Sequence, residues 1–117
     1  MATQKNNFKF KNSDYLNLAF EQAKINLGST GENPSVGCII EKNGSVISSG
    51  YTSLLGRPHA EFNALNKNIS FENSNLYVTL EPCSHTGKTP PCVDKIIKKK
   101  IKKIFFSAVD IDKRSKN

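Results

Sequence analysis

Two hydrophobic rhythms alternate along the chain. Leu16, Ala19, Phe20, Ala23 and Leu27 recur at helical spacing behind Ser13, a residue type suited to an N-cap, and the stripe stops at Gly28. That pattern predicts a first helix. STGENP at 29–34 reads as a loop, and SVGCIIEK at 35–42 is an apolar run of buried-strand type. Asn43-Gly44 is a strong hairpin turn into SVISSGY at 45–51. TSLLGRP then leads to a second helix from about His59 to Asn66. LYVTL at 76–80 is a short apolar strand, followed by a third helix from about Pro91 to Lys100 and a last strand in KIFFSAV at 103–109. The order helix, hairpin, helix, strand, helix, strand predicts an α/β fold. Its mixed sheet lies between helices, with an N-terminal antiparallel hairpin and parallel later strands.

The 117 residues can enclose one core, so residues 1–117 are read as a single domain without repeat or linker. No run approaches the roughly 18 apolar residues of a membrane span. MATQKNNFKFKN at the start is polar and lacks the apolar core of a secretory signal, which points to the cytoplasm. Three cysteines, one of them inside the strand-like VGCII, do not suggest a disulfide framework. The net charge of +7 is concentrated in KIIKKKIKK at 95–103 and KRSK at 113–116. Ile96, Ile97, Ile101 and Ile104 are spaced for one helix face and the entry to a strand, which leaves the lysines on the solvated side. No aromatic residues interleave with them, as a single-strand nucleic-acid platform would require. The charge therefore reads as solvation rather than as a nucleic-acid surface.

The chemistry is concentrated in HAE at 59–61 and PCSHTGKTPPC at 82–92. These segments supply one imidazole, His59, two thiols, Cys83 and Cys92, and the carboxylate of Glu61, two residues from the histidine. Zinc held by one His and two Cys keeps a fourth position open for water, and a carboxylate that is not a ligand can then move protons. His-x-Glu, a strand and then Pro-Cys at a helix start is the pattern of a zinc-dependent deaminase. His59, Cys83 and Cys92 are thus the expected ligands of one zinc per chain, and Glu61 the expected catalytic residue. Cys38, in an apolar run, reads as core. The predicted order explains how the ligands meet: His59 and Glu61 begin one helix, and the cysteines lie in and after the loop leaving LYVTL. Sites in α/β sheets gather beyond the carboxyl ends of strands.

Eight residues separate Cys83 from Cys92, where the general deaminase pattern has two. With HAE upstream and NPSVG at 33–37, this segment resembles the pyrimidine deaminase domain of riboflavin biosynthesis, within the cytidine deaminase-like superfamily. The resemblance runs from about Tyr15 to Asp110. It implies a three-layer α/β/α fold and hydrolytic deamination of 2,5-diamino-6-hydroxy-4-(5-phosphoribosylamino)pyrimidine, with release of ammonia. It also implies that Asn33 contacts the pyrimidine, while His85 and Lys88 hold the ribose phosphate. A cation and the Thr89 hydroxyl in one loop suit a phosphate monoester. Many members carry a histidine where this chain has Thr52, which leaves the phosphate to Arg57, His85 and Lys88 unless Thr52 binds it differently.

In that family a reductase domain usually follows. This sequence stops after AVDIDKRSKN, where the family domain normally continues, so the expectation is a deaminase domain shortened at its C-terminus. The reductase activity then resides in the same or another chain, and a homo-oligomer is left open. Two alternatives remain. A nucleotide or tRNA deaminase is favoured by the charge and opposed by the cysteine spacing. A non-enzymatic zinc-binding nucleic-acid module is disfavoured because structural zinc is usually closed by four protein ligands.

Overall fold

The computed structural model describes residues 10–80 and 92–107. The elements are α1 (Asn12–Ala23), β1 (Gly37–Lys42), β2 (Ser45–Tyr51), a 3-10 turn (Leu54–Gly56), α2 (Ala60–Leu65), β3 (Asn75–Val78), α3 (Cys92–Lys98) and β4 (Lys103–Phe106). The strands form one sheet in the order β2-β1-β3-β4. β1 runs antiparallel to both β2 and β3, and β4 runs parallel to β3. Asn43 and Gly44 both take left-handed backbone angles, with φ of 54° and 85°, as a tight hairpin turn requires. The Glu41 carboxylate accepts the Gly44 N–H at 2.9 Å and fastens the turn to β1.

Alternation along the strands builds three layers. Cys38, Ile40, Leu76 and Val78 pack with Ala60, Ala64 and Leu65 of α2 and Ile96 of α3. Ile39 and Tyr77 face the other way and pack with Tyr15 and Ala19 of α1. The helices come close because the facing positions are small. A side chain at Gly37 would run into the Ala19 carbonyl and lie 2.6 Å from the Ala23 nitrogen. One at Gly50 would strike the Ala60 carbonyl and lie 2.6 Å from the Ala64 nitrogen. These obstacles are backbone atoms, which cannot step aside. Gly50→Ala is accordingly expected to push α2 off β2 and cost about 1–3 kcal/mol, measured as a lower melting temperature.

Three sequence expectations are corrected. The residue capping α1 is Lys11, not Ser13: the Lys11 N–H is taken by the Asp14 carboxylate at 2.7 Å, and Ser13 lies exposed within the helix. The helix also ends at Ala23, well before Gly28, which leaves Leu27 70% exposed; Phe20, within the helix, is 43% exposed and lies off the buried face of Tyr15, Ala19 and Ala23. The cause is long-range. Ser35 donates its hydroxyl to the Ala23 carbonyl, and the Asn26 amide donates to the Thr52 carbonyl at 2.9 Å, holding the chain in a turn. Finally, Ile97 of α3 is 67% exposed while Ile96 is buried, so the apolar face of this seven-residue helix is narrower than the spacing suggested.

Of the lysines in and just after α3, Lys98 and Lys100 are exposed, while Lys95 and Lys99 are half-buried over aromatic rings. Lys95 Nζ lies 4.8 Å from the Phe62 ring centre and Lys99 Nζ 5.6 Å from that of Phe71. Among the described residues no helix is long and apolar enough to cross a membrane.

Candidate functional site

Strand register gathers the motifs at one end of the sheet. Gly37 pairs with Tyr51, Cys38 with Val78, and Val78 with Phe106. The segment entering β1, the one leaving β2 and the one leaving β3 therefore share that end. They contain NPSV, the stretch from Thr52 to His59, and Thr79 and Leu80, where the described part of the segment after β3 ends. Thr79 prolongs the pairing, donating its N–H to the Gly37 carbonyl at 3.1 Å and accepting the Gly37 N–H on its hydroxyl at 3.2 Å.

His59 is the N-cap residue of α2 and is half-buried. Glu61 occupies the first turn of the same helix and is only 4% exposed. A carboxylate serving merely to complement the helix dipole would do so in water, since burial penalises a charge. Cys92 is the first residue of α3, and α3 packs against α2. The Cys92 side chain, and all of Cys83, His85, Lys88 and Thr89, lie outside the described residues.

Within the described part, an imidazole at a helix start with a buried carboxylate two residues on fits the donor chemistry of a catalytic zinc site. Cys38 has the opposite character. It is fully buried in the core, and burial first, then the nearby Glu61 charge, pushes its thiol well above the usual range. Zinc takes the thiolate, so this protonated, apolar cysteine is a poor ligand.

Asn33 is fixed from several sides. Its N–H donates to the Thr30 carbonyl at 3.2 Å, and its own carbonyl accepts the Thr30 hydroxyl at 2.6 Å. Its side-chain Nδ2 donates to the Gly56 carbonyl at 3.0 Å. Gly56 has a φ of 100°, and a Cβ there would collide with the Asn33 amide nitrogen and lie 2.5 Å from the Thr30 carbonyl, so glycine is required.

Thr52 is 1% exposed. Its hydroxyl accepts the Val36 N–H at 2.9 Å and donates to the Pro34 carbonyl at 3.2 Å. The alternative in which Thr52 binds a phosphate directly is set aside by this burial. Arg57, two residues before His59, is exposed.

Asn63 was missed in the sequence. Its Nδ2 donates to the Tyr51 carbonyl at 2.8 Å and the Ser53 hydroxyl at 2.9 Å, with the Pro58 carbonyl at 3.4 Å. It thereby ties both ends of the 51–58 segment to α2. The available signal was its position four residues after His59, on the same helix face.

Comparison with known proteins shows the same pattern. Residues 10–108 match the family described as the cytidine and deoxycytidylate deaminase zinc-binding region. The riboflavin biosynthesis protein RibD of Actinobacillus pleuropneumoniae is 46% identical over 107 residues, which cover 90% of this chain and 28% of that protein. A diaminohydroxyphosphoribosylamino-pyrimidine deaminase of Buchnera aphidicola is 42% identical over 101 residues, covering 86% of this chain and 69% of the relative. Among solved structures, the Thermotoga maritima diaminohydroxyphosphoribosylaminopyrimidine deaminase/5-amino-6-(5-phosphoribosylamino)uracil reductase superposes with a TM-score of 0.82 at 39% identity, over 91% of this chain and 32% of that one. The chain thus spans about a third or less of these two larger relatives.

Proposed function

The chain belongs to the cytidine and deoxycytidylate deaminase family, among the pyrimidine deaminases of riboflavin biosynthesis, and on that premise we propose that it hydrolytically deaminates 2,5-diamino-6-hydroxy-4-(5-phosphoribosylamino)pyrimidine. The observation that supports this reading most is the convergence of NPSV and the Thr52–His59 stretch, with the buried Glu61 beyond it, at the end of the sheet where β3 finishes. Membership in this family implies zinc. In our reading His59, Cys83 and Cys92 hold one ion per chain. Zinc there supplies a Lewis acid that makes hydroxide available at neutral pH.

The rest of the chemistry falls to side chains of this chain. The Asn33 amide oxygen accepts an N–H of the pyrimidine, with its nitrogen already committed to Gly56. Glu61 takes the proton from the attacking water and delivers it to a ring nitrogen, which makes the adjacent carbon electrophilic. Glu61 then takes the proton of the newly added hydroxyl and, as the carbonyl forms and the C–N bond breaks, passes it to the departing amine, which leaves as ammonia. His85, Lys88 and Thr89, with Arg57 at the rim, hold the ribose phosphate.

Residues 1–117 act as one deaminase domain in this reading, and the reduction that follows is performed by a reductase in the same or another chain. Reduced thiols for zinc accord with action in the cytoplasm.

Ammonia release by the zinc-loaded chain tests the proposal. Candidate substrates are the phosphoribosylamino pyrimidine with and without its phosphate, dCMP, cytidine and a tRNA anticodon stem. The phosphorylated pyrimidine should be turned over. Loss of its phosphate should weaken binding roughly tenfold or more, since a charge-assisted contact contributes about 1.5–3 kcal/mol. Turnover of dCMP or of the tRNA stem in place of the pyrimidine would overturn the assignment.

A further inference from the structure

We propose that Thr52 is a positioning residue for substrate binding: its buried hydroxyl sets the turn that aims the Asn33 amide at the pyrimidine. The inference rests on the reading of Asn33 as the pyrimidine contact. Thr52 stands at the end of β2 and bonds to three separate points of the chain. Its hydroxyl bridges the Val36 N–H and the Pro34 carbonyl, its N–H donates to the Val36 carbonyl at 3.0 Å, and its carbonyl accepts the Asn26 amide.

The bond to Pro34 matters for Asn33, which immediately precedes it. Proline has no N–H to anchor the turn from within, so apart from the Asn33 N–H, which donates to the Thr30 carbonyl, the backbone of the Asn33–Pro34 unit is held by its two carbonyls. Thr30 takes the first and Thr52 the second. Four residues after Thr52, the Gly56 carbonyl holds the Asn33 side chain, and three residues after that comes His59. One short segment therefore carries the clamp on the Asn33 turn, the clamp on its amide and the imidazole of the metal site. Asn63 pins the ends of that segment to the helix bearing Glu61.

Losing the hydroxyl leaves the Val36 N–H unpaired in a buried place and frees the Pro34 carbonyl. The turn then shifts, and the Asn33 oxygen with it, while His59 and Glu61 keep their support from α2. A contact made equally to bound substrate and transition state affects KM and leaves kcat unchanged.

The test is a mutant cycle in the full zinc-loaded chain. Thr52→Val should raise KM for the phosphorylated pyrimidine roughly tenfold, with kcat and zinc content unchanged, and Thr52→Ser should restore the wild-type value. In an Asn33→Ala background Thr52→Val should have no further effect on KM, because the two changes remove the same interaction. An equal rise in both backgrounds, or no rise in either, overturns the inference. Should Thr52→Val not fold, Thr52→Ala goes through the same cycle with the same criteria. If wild-type protein does not turn over this pyrimidine, the functional reading fails by itself. Thr52 is then judged by the side-chain amide resonances of Asn33, which should move in Thr52→Val and return in Thr52→Ser; unmoved resonances overturn the positioning role.

Discussion

Glu61→Gln is expected to keep the fold and the zinc while deamination falls about 10²–10⁴-fold, the usual contribution of a positioned acid–base group. Glutamine has nearly the shape of glutamate, so the packing of α2 against β1, through Ala60, Ala64 and Cys38, has no reason to change. The amide can donate and accept hydrogen bonds but cannot receive a proton from water and return it to a leaving amine. Because Glu61 is 4% exposed and the amide fills the same space, the variant should remain folded, which a cooperative thermal melt checks. The measurement combines ammonia release, elemental zinc and a thermal melt on one preparation. Near-normal turnover at full metal would demote Glu61 to a structural role, whereas loss of metal would show that it supports the ligands rather than the proton transfers.

What could be read from the sequence was local. Asn43-Gly44 fixes the hairpin because two adjacent left-handed residues suit little else, and the turn lies where expected. His59 and Glu61 stand out because a two-residue spacing at a helix start is visible in one dimension. The boundaries of α1 were less legible. Leu27 continues the apolar period, but the helix is already over, since Ser35 and Thr52 take hold of Ala23 and Asn26 from 12 and 26 residues away. The environment of Asn33 was equally hidden. Its amide partner is a carbonyl 23 residues distant, presented by a segment in which Leu55 and Gly56 both have positive φ. Thr52 was noticed in the sequence for the imidazole it replaces. Its bonds to Pro34 and Val36, 18 and 16 residues away, give it a part that no spacing rule could supply.

Replacing Cys83 is expected to strip the protein of zinc, and replacing Cys38 to leave the metal in place. The contrast follows from the proposed ligand role of Cys83 and the buried state of Cys38. Zinc binds thiolate, and removing one of three protein ligands should cost more than the roughly 10–100-fold in affinity that follows loss of an outer-shell partner. Cys38 sits in the core against α2, and burial raises its pKa, so it is a small apolar filler in the thiol form. Cys38→Ala should therefore lower stability modestly, by about 1 kcal/mol for a small cavity, with elemental zinc still at one per chain. Cys83→Ala should show little zinc after dialysis against a mild chelator and no ammonia release. A consequence separates this from simple misfolding. If His59 at the start of α2 and Cys92 at the start of α3 share one ion, then zinc stabilises the packing of those helices. Wild-type protein should then melt higher with added zinc, while Cys83→Ala should melt at the temperature of the chelated wild type whether or not zinc is added. Equal loss of metal in the two cysteine variants would sink the ligand assignment, and with it the claim that the eight-residue spacing carries the chemistry.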